Sequence, residues 1–332
     1  MMKLTGINRM LPSSRSRACQ RGVSLIELMV ALVISLVLIG GAIQVYSFSR
    51  QNYEVNESVV RLQETARYAL SVLEPDIRMA NSWGLSKGSV FVESAPDLPE
   101  SDCGADFARI VTATLDGTNN EYSFGCPADG AGAVGSADTL VVRRASVAPS
   151  SVTSGRLLVC STRSSIQLVD DSSVCTAEPP FGQVNDLIVN AYYIGRDSNY
   201  LAGLPTLHRF GLVNSTDFAD VAVVPGVEDM QIQFGIDPSG NRGIATGYVN
   251  PGEVPVGAQI VSVRLWLLVR AETPEQGYKN EETYEYADRD HANGTTADLN
   301  GTGAATQAYK PDDGYRRMLV SRTILVRNAM GI

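Results

Sequence analysis

RGVSLIELMVALVISLVLIGGAIQVYSFS, residues 21–49, contains an uncharged run of 22 residues from Leu28 to Ser49. At about 1.5 Å of rise per residue, such a run crosses the hydrocarbon core of a bilayer as a helix. Ahead of it stand Lys3, Arg9, Arg15, Arg17 and Arg21, with no acid among the first 22 residues. By the positive-inside rule this keeps the N-terminus cytoplasmic and sends the C-terminal bulk outward, into the periplasm. Glu27 sits at the start of the apolar run, where a lone carboxylate is costly: roughly 2.5–3.5 kcal/mol at mid-helix and less near the interface. Two simpler readings stay open. Gly40, Gly41 and Ala42 offer a signal peptidase small residues, although a signal peptide has no use for Glu27. An uncleaved anchor would let Glu27 snorkel to the headgroups, but needs no small residue where Gly22 stands.

Working outward, residues 55–81 read VNESVVRLQETARYALSVLEPDIRMAN, in which Val59, Leu62, Ala66, Ala69, Leu70 and Leu73 recur at helical spacing. An amphipathic half therefore follows the membrane half, with Arg61, Glu64 and Arg67 on its polar face. Gly40 and Gly41 each lower helix propensity by about 1 kcal/mol against alanine, and Pro75 is a second kink point. One helix, or two with a break near residues 40–50, both fit. Past Asn81 the chain changes to short β-branched runs broken by Gly, Pro, Ser and Asp. The expected strands are 107–115, 139–143, 156–160, 187–194, 206–212, 229–236, 258–269 and 318–327. A long helix followed by strands, with no βαβ alternation, is an α+β pattern: the helix packed on an antiparallel β-sheet head. The expected organisation is a basic leader (1–22), a helix (23–80, spanning the membrane over 23–49), a cysteine-bearing β sub-region (81–180) and a C-terminal antiparallel β region (181–332).

Charge and cysteines limit the functions. The chain carries a formal −9, and with five basic residues in the leader the remainder holds −14. So acidic a head repels phosphate backbones, and no nucleic-acid partner is expected. Cys19 lies in the leader, which leaves Cys103, Cys126, Cys160 and Cys175 as an even set suited to disulfides in an oxidising compartment. Intervals of 22 and 14 residues match no paired zinc pattern. Local pairing, Cys103 with Cys126 and Cys160 with Cys175, is the working expectation, with all three connectivities open. The two histidines, His208 and His291, stand beside no nucleophile or metalloprotease motif, and no phosphate-binding loop is present. Neither an enzyme nor a cofactor or metal is expected. His208 reads as an ordinary strand residue. The polar, Gly-rich stretch from Tyr284 to Tyr309, with Asp288, Asp290, Asn293, Asp298 and Asn300, misses the EF-hand spacing. It reads as a solvated hairpin loop before the last strand, with calcium as the lesser alternative.

Arg21-Gly22-Val23-Ser24-Leu25-Ile26-Glu27-Leu28 resembles the class III signal of type IV pilins and pseudopilins. The resemblance implies cleavage by prepilin peptidase after Gly22 and N-methylation of Val23. It makes Glu27 the fifth residue of the mature chain, placed to pair with a neighbour's N-terminal amine inside a helical bundle. Val23 replaces the phenylalanine of most major pilins, and the 22-residue leader is long unless translation starts at Met10.

A second resemblance lies in Arg61-Leu62-Gln63-Glu64, Asp76-Ile77-Arg78-Met79-Ala80, Pro225-Gly226-Val227-Glu228-Asp229-Met230-Gln231, Val263-Arg264-Leu265-Trp266-Leu267-Leu268 and the tail from Thr323 to Asn328. In order and spacing these are similar to the PilW family of type IV pilus minor pilins. That implies a pilin-like fold and a minor pilin that primes pilus assembly, is incorporated at low abundance near the tip, and supports adhesion and twitching motility. The implied partners are other minor pilins, the major pilin, prepilin peptidase and the inner-membrane assembly platform. The implied location is the inner membrane before assembly and the pilus afterwards. A J-type minor pseudopilin of type II secretion, or a tip adhesin built on the cysteine-bearing region, are the alternatives.

Overall fold

The computed structural model describes residues 22–87, 91–92, 103–104, 106–150, 155–170, 182–240, 242–289 and 308–329. The chain divides into two compact units, 1–54 and 55–332. Helix α1 runs unbroken from Leu25 to Met79, through Gly40, Gly41 and Pro75. The break left open near residues 40–50 does not occur. The helix stops where Asn81 takes a left-handed φ of 62°, a conformation asparagine tolerates better than most residues. Its terminal carbonyls find partners there: Ala80 donates to Ile77 O and Arg327 to Arg78 O.

The fourteen strands among the described residues are β1 (Ser82–Trp83), β2 (Ser86–Lys87), β3 (Phe91–Val92), β4 (Leu115–Asp116), β5 (Leu140–Ala145), β6 (Leu158–Ser161), β7 (Ser165–Val169), β8 (Gln183–Gly195), β9 (Thr206–Leu212), β10 (Phe218–Pro225), β11 (Val227–Asp237), β12 (Gly247–Val249), β13 (Gln259–Arg270) and β14 (Arg317–Leu325). β1 and β2 form a small hairpin. The larger sheet runs β10-β9-β8-β6-β7-β3, with β5 also on β8 and β4 on β5; the smaller runs β12-β11-β13-β14. Pairing is antiparallel apart from β3 with β7. The larger sheet draws strands from both sides of residue 180. The fold is thus α+β, a long helix followed by antiparallel sheets.

β8 is the hinge of the arrangement, pairing with β6 at its start and with β5 and β9 farther along. It is buried on both faces, as its apolar run requires. Tyr192 and Ile194 join the main core with Ala69, Leu73 and Ile77 of α1 and Met230, Ile232, Val263, Leu265 and Leu267 of the smaller sheet. Val189, Ala191 and Tyr193 point the other way, into a second core with Phe210, Val159, Trp83, Cys103 and Cys126. Gly226 makes the tight turn between β10 and β11 at φ 85°, and its carbonyl accepts from Arg270.

Two expectations fail. The strand expected over 107–115 is a series of turns entering β4 only at Leu115. The carbonyls of Phe107 and Ala113 accept instead from Arg143, and Asp106 adopts φ 62°. The second concerns 284–309. Tyr284, Tyr286, Arg289, Ala308 and Tyr309 are buried, so the ends of that connection are core, not a solvated loop. Its middle, with Asp290, His291, Asn293, Asp298 and Asn300, lies outside the described residues. β1, β2, β3, β7, β10 and β12 are strands the sequence pattern did not mark.

Candidate assembly interface

Within the first unit, Gly22 and Val23 precede α1 and are exposed. Ser24 closes the first turn, its carbonyl accepting from Leu28 N–H at 3.1 Å. Glu27 lies in that turn, where the partial positive charge of a helix N-terminus favours a carboxylate. Beyond it every side chain from Leu28 to Ser49 is exposed, the large apolar ones included. The most apolar window of the helix has nothing buried. A soluble surface does not present so much contiguous apolar area without a solvent or partner to cover it. The run meets the rule that backbone polar groups in lipid be satisfied internally. Even the Ser35 hydroxyl does so, donating to Ala31 O at 2.7 Å.

The lower half of the helix belongs to the second unit and behaves oppositely. Leu62, Ala66, Ala69, Leu73 and Ile77 form a buried stripe at helical spacing. The outer face carries the i,i+4 pairs Glu57–Arg61 and Glu74–Arg78, which contribute only a few tenths of a kcal/mol each. Asp76 is the buried acid on this stripe. One oxygen accepts from Arg144 at 2.7 and 3.1 Å, the other from Asn190 and Tyr192 at 2.6 Å each. Burial, and then the Asp76 charge, hold the Tyr192 phenol in its neutral, donating form. A strand sends neighbouring side chains to opposite faces. Hence Arg144 meets Asp76 while Arg143, next to it on β5, enters the second core. There Arg143 lies over the Phe107 ring and donates to two carbonyls, and burial lowers it to about 10.

Two adjacent acids on β11 fix the other end of the head. Glu228 takes a two-pronged contact from Arg317, which also grips Asp313 at 2.6 and 2.8 Å. Asp229, fully buried, accepts from Arg289 Nε at 2.7 Å and Tyr286 OH at 2.6 Å. Burial alone would pull the Arg289 guanidinium down, but Asp229 holds it up and charged. Arg289, Arg317, Tyr286 and Tyr309 escaped the sequence reading. The available signal was two consecutive acids, Glu228 and Asp229, inside an apolar strand, since buried carboxylates call for cationic partners.

Of the cysteines, Cys103 and Cys126 form a disulfide, and Cys160 is disulfide-bonded; Cys175 lies outside the described residues. A Cβ on Gly125 would stand 2.8 Å from the Cys103 carbonyl oxygen, so only glycine fits beside the bridge. Phe107, Tyr122 and Phe124 pack edge-on around it, against Phe210 and Phe218 of β9 and β10. His208 is a buried residue of β9 whose Nδ1 lies 3.0 Å from Asp220 Oδ1.

Residues 191–328 match the family model PilW, Type IV Pilus-assembly protein W, and residues 17–43 match the prokaryotic N-terminal methylation motif. No curated protein matches the chain. Among solved structures, the Type IV-like pilin TTHA1219 from Thermus thermophilus is similar at 12% identity, over 82% of this chain and 100% of that one, with a TM-score of 0.37. The bridge between Cys103 and Cys126 falls outside both family matches.

Proposed function

We propose that this chain, a type IV pilin-like protein of the PilW family, works as a minor pilin that primes pilus assembly and is incorporated at low abundance near the tip. The apolar helix and the methylation motif fit a membrane-anchored pilin. The observation that carries the proposal is the uncovered apolar half of α1, headed by Glu27 directly after Gly22 and Val23. Lipid covers that surface before assembly, and the helices of neighbouring subunits cover it afterwards. Processing after Gly22 exposes a free amine on Val23, and Glu27 of one subunit pairs with that amine on the next. The pair offsets two charges that each cost several kcal/mol if buried alone. Registry along the bundle follows from this pairing.

The same reading makes prepilin peptidase, other minor pilins, the major pilin and the inner-membrane assembly platform the partners. The head is periplasmic until the subunit enters the fibre. The role is structural: packing, not turnover. The match over 191–328 is to a pilus-assembly family, which favours the pilus over a secretion pseudopilus.

N-terminal peptide mass spectrometry of the membrane-extracted protein is the test. A chain starting at N-methylated Val23, together with loss of surface pili on deletion and their failure to return with Glu27→Ala, is the expected result. An uncut leader, a start at Ile43, or normal piliation without the protein would overturn it.

A further inference from the structure

Where the start of the 284–309 connection meets the turn after β4, four side chains form one hydrogen-bonded group. Asn119 and Asn120 both donate to Asp288 Oδ2, at 3.0 and 2.7 Å, and Gln231 Nε2 approaches Asn120 Oδ1 at 3.3 Å. The amide orientations are fixed by these contacts, because Gln231 Nε2 also faces Ser136 O at 3.2 Å. That leaves Asn119 Oδ1, Asp288 Oδ1 and Gln231 Oε1 buried with no hydrogen-bond partner. All three are acceptors. Gln231 is completely inaccessible, and an unsatisfied polar atom so deep costs about 1–3 kcal/mol.

The surrounding charge has the same sign. Asp138 is buried and accepts from the N–H groups of Asn120 and Ile232 at 2.8 and 2.7 Å. Burial pushes its carboxyl well above the usual range, and the charges of Asp229 and Asp288 add to the effect despite those two donors. Arg289 answers this group, but its Nε is engaged by Asp229 and its Nη2 by Ser136 O. Among the described residues the Asp288 carboxylate meets the amides of Asn119 and Asn120 through one oxygen, and its other oxygen is one of the three without a hydrogen-bond partner.

We propose that Asp288, Asn119 and Gln231 hold a calcium ion that pins the 284–289 segment to the turn after β4 and to β11. Carboxylate and amide oxygens are hard ligands suited to calcium or magnesium. Flexible side chains from three separate segments suit the larger, geometrically tolerant ion. Among the described residues no three His, Cys, Asp or Glu side chains converge as ligands, so the neutral amides are what make the site. This differs from an EF-hand: the ligands come from positions 119, 231 and 288 and do not follow one another along a loop.

Calorimetric titration of the full-length protein in detergent, after chelation, tests the assignment with calcium chloride as the probe. One saturable site with a dissociation constant of about 10⁻⁴–10⁻³ M, the range of extracellular calcium modules, is expected, weakened at least about tenfold in Asp288→Asn because one full ligand charge is lost. Absence of saturable heat up to about 10 mM, tenfold beyond that range, overturns the proposal. So does an isotherm unchanged in Asp288→Asn, the signature of loose binding at an acidic surface. A second variant guards against misfolding. Asn119→Asp places two carboxylates side by side, so its melting temperature should rise with calcium by more than that of the unmodified protein; an equal or smaller rise overturns the site.

Discussion

The two halves of α1 are built on opposite terms. From Leu28 to Ser49 the helix is apolar on all sides and leaves every side chain exposed; from Val55 to Met79 it is amphipathic and buries a single stripe. Among the described residues nothing covers the upper half, so its energetics belong to whatever surrounds it. The lower half is fully integrated in the head, with Asp76 bound by three side chains of β5 and β8. A mutation in one half should therefore be read in assembly, and in the other in folding.

The sharpest way to break this contrast is at the buried acids. Asp229→Ala strips the carboxylate from Arg289 and Tyr286 and should cost about 3–5 kcal/mol, the penalty of stranding a buried charge. Urea unfolding of the detergent-solubilised protein, followed by the fluorescence of Trp83 and Trp266, measures it. A loss below about 1 kcal/mol would mean that the pair is wetter than its burial implies.

Next is a matched pair on the helix itself. Leu73→Ala should destabilise the head by about 2–5 kcal/mol through loss of buried methyls and a cavity. Leu36→Ala should leave the same unfolding midpoint within about 0.5 kcal/mol, as for an exposed site, while reducing incorporation into pili. Equal effects in the two assays would erase the distinction. The double variant Cys103→Ala, Cys126→Ala comes third. Freeing a bridge that closes a separation of 23 residues should cost about 2–4 kcal/mol, visible as the difference between oxidised and variant unfolding curves.

The smallest effect is a pH dependence. The Ser239 hydroxyl and the N–H groups of Arg242, Gly243 and Ser239 hold Asp237 at about 2. Because the folded value lies below the unfolded one, this group's contribution is complete above about pH 4. It disappears as the pH falls toward 2. Asp237→Asn should flatten stability against pH in that window and lower it at neutrality, where the contribution of the ionised carboxylate is complete.

Legibility followed sequence distance. The apolar run, Glu27 and the helical stripe were readable because each depends on neighbours within a few turns. β9 spans the expected 206–212, and β11 and β13 lie close to their expected bounds, because alternation and flanking turn residues are local. Residues 107–115 misled because they look like a strand, yet their carbonyls are claimed by Arg143, about thirty residues away. The stretch around Arg289 looked solvated because it is polar and Gly-rich; its partner, Asp229, is sixty residues back. A lone arginine in such a stretch gives no local sign that a carboxylate waits in a distant strand. The exposed apolar half of α1 was visible nearly throughout; of the buried charges in the head, only the two acids of β11 gave a signal.

Asp76 also has a mechanical meaning. A load applied along the lower part of α1 has to leave the helix before its end at Met79. The side chain with polar attachments to both β5 and β8 is the carboxylate one turn earlier, backed by the bond from Arg327 to the Arg78 carbonyl. Tension is therefore delivered to two strands of the larger sheet and to the segment just past β14 at once, and no single strand has to bear it alone.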